Sequence, residues 1–188
     1  TVESHLNDLN SEILNLFECV RDDYKKVVKL ANAFERSKDA YYKIRARDRQ
    51  QQWLSEDRFL RAARTVYINK MCFNGLYRVN RSGYFNVPYG SGRKGEVLPE
   101  EEAKKFSEAI KNANFYCKDY KEFLKIADAG DLLYLDPPYV DVKEPKKEFN
   151  GYVGGFGWTQ QLELIEECKK LKELGCTVLV SNSHCKET

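Results

Sequence analysis

The tetrapeptide Asp136-Pro137-Pro138-Tyr139 combines hydrogen-bond acceptors with an aromatic ring, and it directly follows the apolar run Leu132–Leu135. An amino group attached to an aromatic base is a poor nucleophile, because its lone pair is delocalised into the ring. The Asp136 carboxylate can accept one amino hydrogen and the Pro137 carbonyl the other, which favours a pyramidal nitrogen whose lone pair points at an incoming methyl group. The predicted chemistry is methyl transfer to an exocyclic amino group, such as that of adenine.

Two further properties of the tetrapeptide bear on this prediction. Successive prolines fix φ and donate no backbone hydrogen, so the turn is stiff and its carbonyls stay free to accept. Tyr139 offers a flat face for stacking, and a base inside a duplex can reach such a pocket only by flipping out of the stack. The alternative is a proline-rich turn that merely ends a strand. The tetrapeptide alone does not separate the two interpretations.

Positive charge is concentrated in one segment of a chain that is otherwise slightly acidic. From Arg61 to Lys94 there are seven basic residues and no acidic one, whereas the remainder has 24 basic and 29 acidic residues. The segment also contains six aromatic residues, which are Tyr67, Phe73, Tyr77, Tyr84, Phe85 and Tyr89. This mixture suits phosphate contacts combined with stacking or wedging between bases. The alternative is a solvated basic face with its aromatic residues in the core, and the lack of acidic residues favours nucleic acid.

The order of predicted elements indicates an α/β domain interrupted by a helical insertion. Helices are predicted from Asp8 or Asn10 to about Leu30, from Ser55 to about Met71, from Pro99 to about Ala113, and from a Thr159 cap to about Gly175. Strands are predicted at 114–117, 132–135 and 176–180, the second of them apolar on both faces as in a covered parallel sheet. Asn80 to Gly83 is predicted as a hairpin turn, and a hairpin can enter a DNA groove.

Four polar residues follow predicted strands or open helices, namely Asp8, Asp119, Asp136 and Asn182. Ligands of open α/β sheets bind beyond the carboxyl ends of the strands, so we expect these residues to meet at one edge. The segment 140–158, rich in Lys, Gly and aromatic residues, is predicted to form a mobile lid over that edge.

Several segments, in order, resemble the Dam-type DNA adenine-N6 methyltransferases. Besides the tetrapeptide, the similar pieces are Asp8-Leu9-Asn10, Phe73 to Arg78, Gly83 to Gly90, Asn114 to Tyr120 and Ser181-Asn182, so most of the chain is covered. The resemblance implies a Rossmann-like methyltransferase sheet with a helical and hairpin DNA-recognition insertion. Residues 1–30 and 101–188 would form the cofactor-binding and catalytic domain, and residues 31–100 the target-recognition domain.

The same resemblance implies roles for individual residues. S-adenosylmethionine would be the co-substrate. Asp8 would bind the ribose hydroxyls of this cofactor, Asp119 would lie near the cofactor adenine, and Asp136 would also contact the cofactor. The alternative for Asp8 and Asp119 is that each is an ordinary helix cap or surface acid. Double-stranded DNA would be the partner, with a GATC-like target site. Its predicted contacts are Arg78 at a guanine edge, Leu76 near a thymine methyl, Asn74 and Pro88 at the target site, Phe73 as a wedge, and Lys94. Ser91-Gly92 departs from the family pattern, which puts one contact in doubt.

Family members begin with a Pro-Phe and glycine-rich segment around the methionine part of the cofactor, and the sequence opens beyond that point. We therefore expect a sheet that is incomplete at both ends.

Three alternatives to an active DNA methyltransferase remain. One is a catalytically inactive fragment that retains sequence-specific DNA binding. A second is a methyltransferase for protein or RNA amides, in which Asn commonly stands in place of Asp136. A third is a structural α/β domain with coincidental motifs, which the agreement of several segments disfavours.

Cysteine spacing and hydropathy exclude other classes of protein. The six cysteines form no Cys-x-x-Cys pair and only His5 and His184 can supplement them, so we expect reduced thiols and no metal. No apolar run reaches membrane-spanning length and no signal-peptide pattern opens the sequence, which predicts a cytoplasmic, DNA-associated protein, by resemblance of bacterial or phage type. The sequence leaves the oligomeric state open.

Overall fold

The computed structural model describes residues 3–91, 95–139 and 156–183. The chain divides into two compact units, Thr1–Lys118 and Asp119–Thr188. The architecture is mixed α/β, with helices and short parallel strands. The boundary between the units follows compactness, and the functional division into 1–30, 31–100 and 101–188 stays a prediction.

The described residues of the first unit form helices and two strands. They are β1 (Ser4–Asn7), α1 (Ser11–Asn32), α2 (Lys38–Arg45), α3 (Arg58–Met71), α4 (Glu100–Ala109) and β2 (Ala113–Tyr116). Short 3-10 turns lie at Ala46–Arg49, Trp53–Ser55 and Phe73–Gly75. Strands β1 and β2 pair in parallel, with Ser4 opposite Ala113 and Asn7 opposite Tyr116. The strand β1 was not predicted, whereas β2 lies one residue before its predicted position.

Helix α1 begins after Asn10, one of its two predicted caps. The Asn10 side chain accepts from the backbone N–H groups of Glu12 and Ile13, which supplies partners to donors that have none inside the helix. Helical spacing puts Val20 and Val27 on one buried stripe, and α1 packs on α3 through that stripe. The cap and the stripe together fix how the helix leaves β1.

Two other helix starts differ from prediction for local reasons. Ser55 belongs to a 3-10 turn, and α3 begins three residues later because the Asp57 carboxylate caps it by accepting from Phe59 N (2.9 Å) and Leu60 N (3.1 Å). Pro99 takes the N-cap position of α4 instead of its first helical position. Helix α4 ends at Ala109, before the predicted Ala113, which is already the first residue of β2.

The second unit contains α5 (Tyr120–Phe123), a 3-10 turn at Leu124–Ile126, β3 (Leu132–Leu135), α6 (Trp158–Leu174) and β4 (Thr177–Val180). The N-cap of α6 is Gly157, not Thr159, because the Gln160 side chain turns back to accept from Gly157 N at 2.9 Å. Gly175 ends the helix with φ +101°, as its position predicted.

Strands β3 and β4 are parallel, with Leu132 opposite Thr177 and Leu135 opposite Val180. One face of the pair packs on a buried cluster of Leu124, Leu171 and Cys176. The other face carries Leu132 and Tyr134, which are 68% and 67% exposed, so the expectation of burial on both faces was wrong for the described residues. None of the helices in the described ranges has the length and apolar composition to span a bilayer.

Candidate functional site

The tetrapeptide Asp136 to Tyr139 forms the turn that leaves the carboxyl end of β3. The Tyr139 hydroxyl hydrogen-bonds to the Ser181 hydroxyl, and the side chain of Gln161 in α6 donates from Nε2 to the Pro138 carbonyl at 2.7 Å. The Asp136 and Tyr139 side chains are exposed. Within residues 3–91, 95–139 and 156–183, no donor bonds to the Asp136 carboxylate or to the Pro137 carbonyl. As far as the described residues are concerned, both predicted acceptors are therefore free to bind a ligand.

The parallel register of β3 and β4 brings the tetrapeptide beside the residues that follow β4. Leu135 pairs with Val180, and Ser181 N donates to Leu135 O at 2.9 Å. Asn182 donates from Nδ2 to Gln161 Oε1 at 3.0 Å, so it joins the same cluster. The prediction that Asp136 and Asn182 lie at one edge agrees with this arrangement.

Asp119 caps a helix, and Asp8 lies two residues before the cap of α1. Asp119 is exposed and caps α5, accepting from Lys121 N at 2.9 Å. Asp8 follows β1 in the first unit; its backbone N–H donates to Tyr116 O, and its Oδ1 accepts from Asn10 N at 2.6 Å. Among the described residues Asp8 Oδ2 has no partner, so the carboxylate retains an acceptor suited to ribose hydroxyls. That Asp8 meets Asp136 at one edge stays a prediction.

Residues 73–90, here called the recognition segment, form an irregular hairpin. Val79 and Phe85 make an antiparallel bridge around the predicted turn, in which Asn80 N donates to Tyr84 O (2.8 Å) and Gly83 N to Asn80 O (2.9 Å). A second bridge joins Cys72 to Tyr89. The turn needs Gly83, whose φ is +79°, and the hairpin prediction is confirmed.

The recognition segment exposes the residues predicted to contact DNA. Phe73 and Leu76 are 51% and 53% exposed, and Asn74, Arg78 and Pro88 are also exposed. Exposed apolar side chains of this size are available for contact with a partner.

Two backbone and side-chain contacts fix these residues. Phe73 N donates to Pro88 O at 2.9 Å, which holds the two predicted contact residues on adjoining stretches of the hairpin. Arg78 donates from Nε to Asn86 Oδ1 at 2.8 Å, and its terminal nitrogens have no partner among the described residues. Asn86 thus aims the guanidinium fork while leaving it available.

Part of the basic, aromatic segment is structural, which corrects the charge argument. Arg64 is 2% exposed, pairs with Asp48 at 2.8 Å, and donates to the carbonyls of Ile44 and Arg45. Arg61 pairs with the Glu12 carboxylate. Among the aromatic residues, Tyr67 and Phe85 belong to the buried core. The core interpretation therefore holds for these residues, and the accessible positive charge of the described recognition segment comes from Arg78 and Arg81.

Residues 41–49 support the recognition segment, and sequence analysis missed this role. The Asp48 carboxylate accepts from Phe85 N (2.9 Å), Arg49 donates to Phe85 O (3.1 Å), and the Tyr41 hydroxyl donates to Val87 O at 2.8 Å. Arg45 also donates to Val87 O. The available signal in the sequence was Asp48 standing between Arg47 and Arg49.

Some predicted features lie outside the described residues. They are Lys94, Gly92 of the Ser91-Gly92 pair that departs from the family pattern, and residues 140–155 of the predicted lid. Of the remaining lid residues, Phe156 contacts the Tyr120 ring, with centroids 5.9 Å apart. The described ranges contain no group of three or more side chains arranged to hold a metal ion.

Comparison with known proteins adds independent information. The sequence profile of the D12 class N6 adenine-specific DNA methyltransferases matches residues 3–188. The chain is 34% identical over 183 residues to the Type II methyltransferase M1.LlaDCHI of Lactococcus lactis subsp. cremoris, covering 95% of the chain and 64% of that protein. It is 31% identical over 189 residues to the Type II methyltransferase M.MjaIII of Methanocaldococcus jannaschii, covering 95% and 65%.

A third relative is the DNA adenine methylase of Escherichia coli strain K12, 33% identical over 181 residues, with coverage of 94% of the chain and 63% of that protein. The chain thus spans less than two thirds of the length of each of these three relatives. The profile match extends across both compact units. The chain therefore belongs to the D12 class N6 adenine-specific DNA methyltransferase family.

Proposed function

We propose that this protein is a site-specific DNA adenine-N6 methyltransferase that transfers a methyl group from S-adenosylmethionine to a flipped adenine. The observation that carries the proposal is the turn after β3, where the open acceptors of Asp136 and Pro137 stand beside the exposed ring of Tyr139. A planar base with a primary amino group fits one ring and two acceptors. The names of the relatives support the same reaction, and the word Type II in two of them supports a place in restriction-modification.

The proposed reaction is a direct displacement. S-adenosylmethionine, when bound, supplies an electrophilic methyl group. Asp136 and the Pro137 carbonyl accept the two amino hydrogens and stabilise the partial positive charge that develops on nitrogen as the N–C bond forms and the S–C bond breaks. The sulfur keeps the electron pair of the broken bond, and the methylated nitrogen then loses one proton to solvent. The Tyr139 ring holds the extrahelical base by stacking.

The proposal also covers the organisation of the chain. Residues 1–30 and 101–188 would belong to a Rossmann-like cofactor-binding and catalytic domain, with Asp8 at the ribose hydroxyls and Asp119 near the cofactor adenine. Residues 31–100 would form the DNA-recognition insertion. The parallel pairs of β1 with β2 and of β3 with β4 support this sheet. Double-stranded DNA would be the partner, in the cytoplasm.

For target recognition we propose that Arg78 contacts the O6 and N7 acceptors of a guanine in a GATC-like site. The fork of an arginine matches these two atoms, and the bond from Arg78 Nε to Asn86 orients the fork. Leu76 would contact a thymine methyl, and Phe73 would fill the gap left by the flipped adenine. Asn74, Pro88 and Lys94 would supply further DNA contacts.

A labelled-methyl assay tests the reaction. The chain is incubated with methyl-labelled S-adenosylmethionine and duplexes that differ at one candidate adenine, and the labelled base is identified. We expect label on N6 of that adenine, and we expect Asp136→Ala to abolish transfer while duplex binding persists. Sequence-dependent binding without transfer by the parent chain would instead support a DNA-binding protein without turnover. Loss of folding in the Asp136→Ala variant would show a structural role for that residue.

A competition experiment tests recognition. Changing Arg78 to Ala should reduce discrimination at one guanine by about 1–3 kcal/mol, because a bidentate contact is lost. Arg81→Ala is a matched control, since Arg81 is also exposed on the same hairpin and is expected to affect all sequences alike. An equal loss on every duplex for Arg78→Ala would reject its role in reading a base.

A further inference from the structure

A single buried amide connects three parts of the second unit. Gln161 lies near the start of α6 and is 6% exposed. Its Nε2 donates to the Pro138 carbonyl at 2.7 Å, and its Oε1 accepts from Asn182 Nδ2 at 3.0 Å. Both ends of the amide are therefore used, one on the tetrapeptide and one on Asn182, the second residue after β4.

The amide of Gln161 makes the two proline carbonyls unequal. Neither proline carbonyl is tied down by a regular strand or helix, and the covalent structure of the turn does not distinguish them. The Pro138 carbonyl is occupied by Gln161, whereas the Pro137 carbonyl has no donor among the described residues. A buried polar group of this kind is costly to leave unpaired, so the contact opposes rotation of the turn.

We propose that Gln161 is a positioning residue for the methyl-transfer site, which holds the turn so that the Pro137 carbonyl and the Asp136 carboxylate are the two acceptors of the target amino group. This inference rests on the proposed function. Gln161 acts through the tetrapeptide and does not touch the base. The hydrogen bond between the Tyr139 and Ser181 hydroxyls holds the stacking ring, and the hydrogen bond from Gln161 to the Pro138 carbonyl holds the acceptors. The role fits a buried glutamine because it must donate to one oxygen and accept from an amide at the same time.

Replacing Gln161 by glutamate gives the sharpest test. An ionised carboxylate can still accept from Asn182 but cannot donate to the Pro138 carbonyl, whereas a protonated carboxyl group can do both. Burial raises the pKa of a carboxyl group, which brings its titration toward the pH range of the assay. At pH 8 we expect kcat of Gln161→Glu to fall by on the order of 10²-fold, as for a small misplacement of reacting groups. The ratio of variant kcat to parent kcat should rise as the pH is lowered to 6, with KM for the duplex unchanged.

Two variants control this experiment. Gln160→Glu is the matched control, because the one bond of the Gln160 side chain among the described residues is accepted from Gly157 N, and a carboxylate serves that purpose equally well. Its kcat should follow the parent at every pH. Gln161→Met keeps the side-chain volume and removes both hydrogen bonds, so its loss of kcat should not depend on pH. Urea unfolding of each variant separates a loss of folding from a loss of positioning.

A measurement independent of turnover separates failure of this inference from failure of the proposed function. With ¹³C in the proline carbonyls, the Pro138 resonance should move in Gln161→Glu at pH 8 and return toward its parent position at pH 6. If the parent chain methylates no base but this resonance behaves as described, the proposed function fails and the hydrogen bond from Gln161 to the Pro138 carbonyl is supported. A parent that transfers methyl, with a Gln161→Glu ratio independent of pH or a change in KM alone, overturns the positioning role. A Pro138 resonance that the substitution does not change would show that Gln161 makes no hydrogen bond to the Pro138 carbonyl, and this would overturn the inference.

Discussion

Gly90 closes the recognition segment at a point where two backbone stretches approach closely. A Cβ atom added at Gly90 would lie 2.5 Å from Cys72 O, 2.8 Å from Cys72 C and 3.0 Å from Phe73 Cα. All three neighbours are backbone atoms, so no side-chain rotation relieves the contact. A Gly90→Ala substitution must therefore separate the stretches on either side.

Separating these stretches has an energetic cost with two parts, broken hydrogen bonds and local overpacking. Gly90 N donates to Met71 O at 2.8 Å, and Phe73 N donates to Pro88 O at 2.9 Å, so two hydrogen bonds flank the contact. Their loss costs about 0.5–1.5 kcal/mol each, and forcing an extra methyl into a packed site costs about 1–3 kcal/mol. We expect Gly90→Ala to lower the free energy of unfolding by about 2–6 kcal/mol. Because the same bonds hold Phe73, sequence-specific duplex binding should also weaken at temperatures where the variant is folded.

Urea unfolding of Gly90→Ala and Gly83→Ala provides the assay and its control. Gly83 lies in the same hairpin with φ +79°, and an added Cβ there meets nothing within 4 Å. Its substitution should cost only the strain of a left-handed residue, about 1–2 kcal/mol. If Gly90→Ala costs no more than Gly83→Ala, the close approach of the backbones does not determine stability and the reasoning fails.

Three further predictions concern buried or paired groups. Arg64→Met removes one of the two arginines that pair with the Asp48 carboxylate and leaves the Ile44 carbonyl without its donor, while Arg49 stays paired with Asp48 at 2.8 Å. The free energy of unfolding should therefore fall by about 1–3 kcal/mol in urea titrations, and an unchanged free energy would refute a structural role for the Arg64 ion pair. The hydrogen bond from Arg58 holds the pKa of Asp22 below its ordinary value of 3.8, so the stability that Asp22 contributes is complete above that pH and lost as the pH falls further. Asp22→Asn should reduce the decline of the urea midpoint below pH 3.8, and an unchanged decline would contradict the assignment. Burial raises the pKa of the Cys19 thiol to about 11, so iodoacetamide at pH 8 should modify exposed Cys117 before Cys19, as mass spectrometry of timed samples can determine.

Sequence patterns predicted the elements whose causes are local. Asn10 and Gly175 mark helix ends because capping and a left-handed residue depend on a few neighbouring atoms. The turn from Asn80 to Gly83 has the same local character. The tetrapeptide was placed correctly at the end of β3 because an apolar run followed by two prolines admits few conformations.

Features that depend on distant partners were not predictable in the same way. Strand β1 has four residues and no apolar alternation, and it forms because β2 pairs with it more than a hundred residues later. Gln161 looked like any polar residue on a helix, and only the folded chain shows it buried against Pro138. Arg64 belongs to the basic segment that the sequence predicts to contact phosphates, but in the folded chain it is buried and pairs with Asp48.

The charged side chains that bond to the recognition segment have a consequence for the proposed DNA binding. Three charged side chains of the stretch 41–49 bond to the backbone of the hairpin. Asp48 accepts from Phe85 N, Arg49 donates to Phe85 O and Arg45 donates to Val87 O. Strand pairing alone would leave this hairpin weak, because its regular pairing consists of isolated bridges. Side-chain bonds from outside the hairpin therefore replace the missing ladder and fix the positions of the exposed residues. If Arg78 reads a base as proposed, this placement of the backbone would let a few exposed side chains discriminate between bases without a large surplus of positive charge, since phosphate contacts add affinity but carry no sequence information.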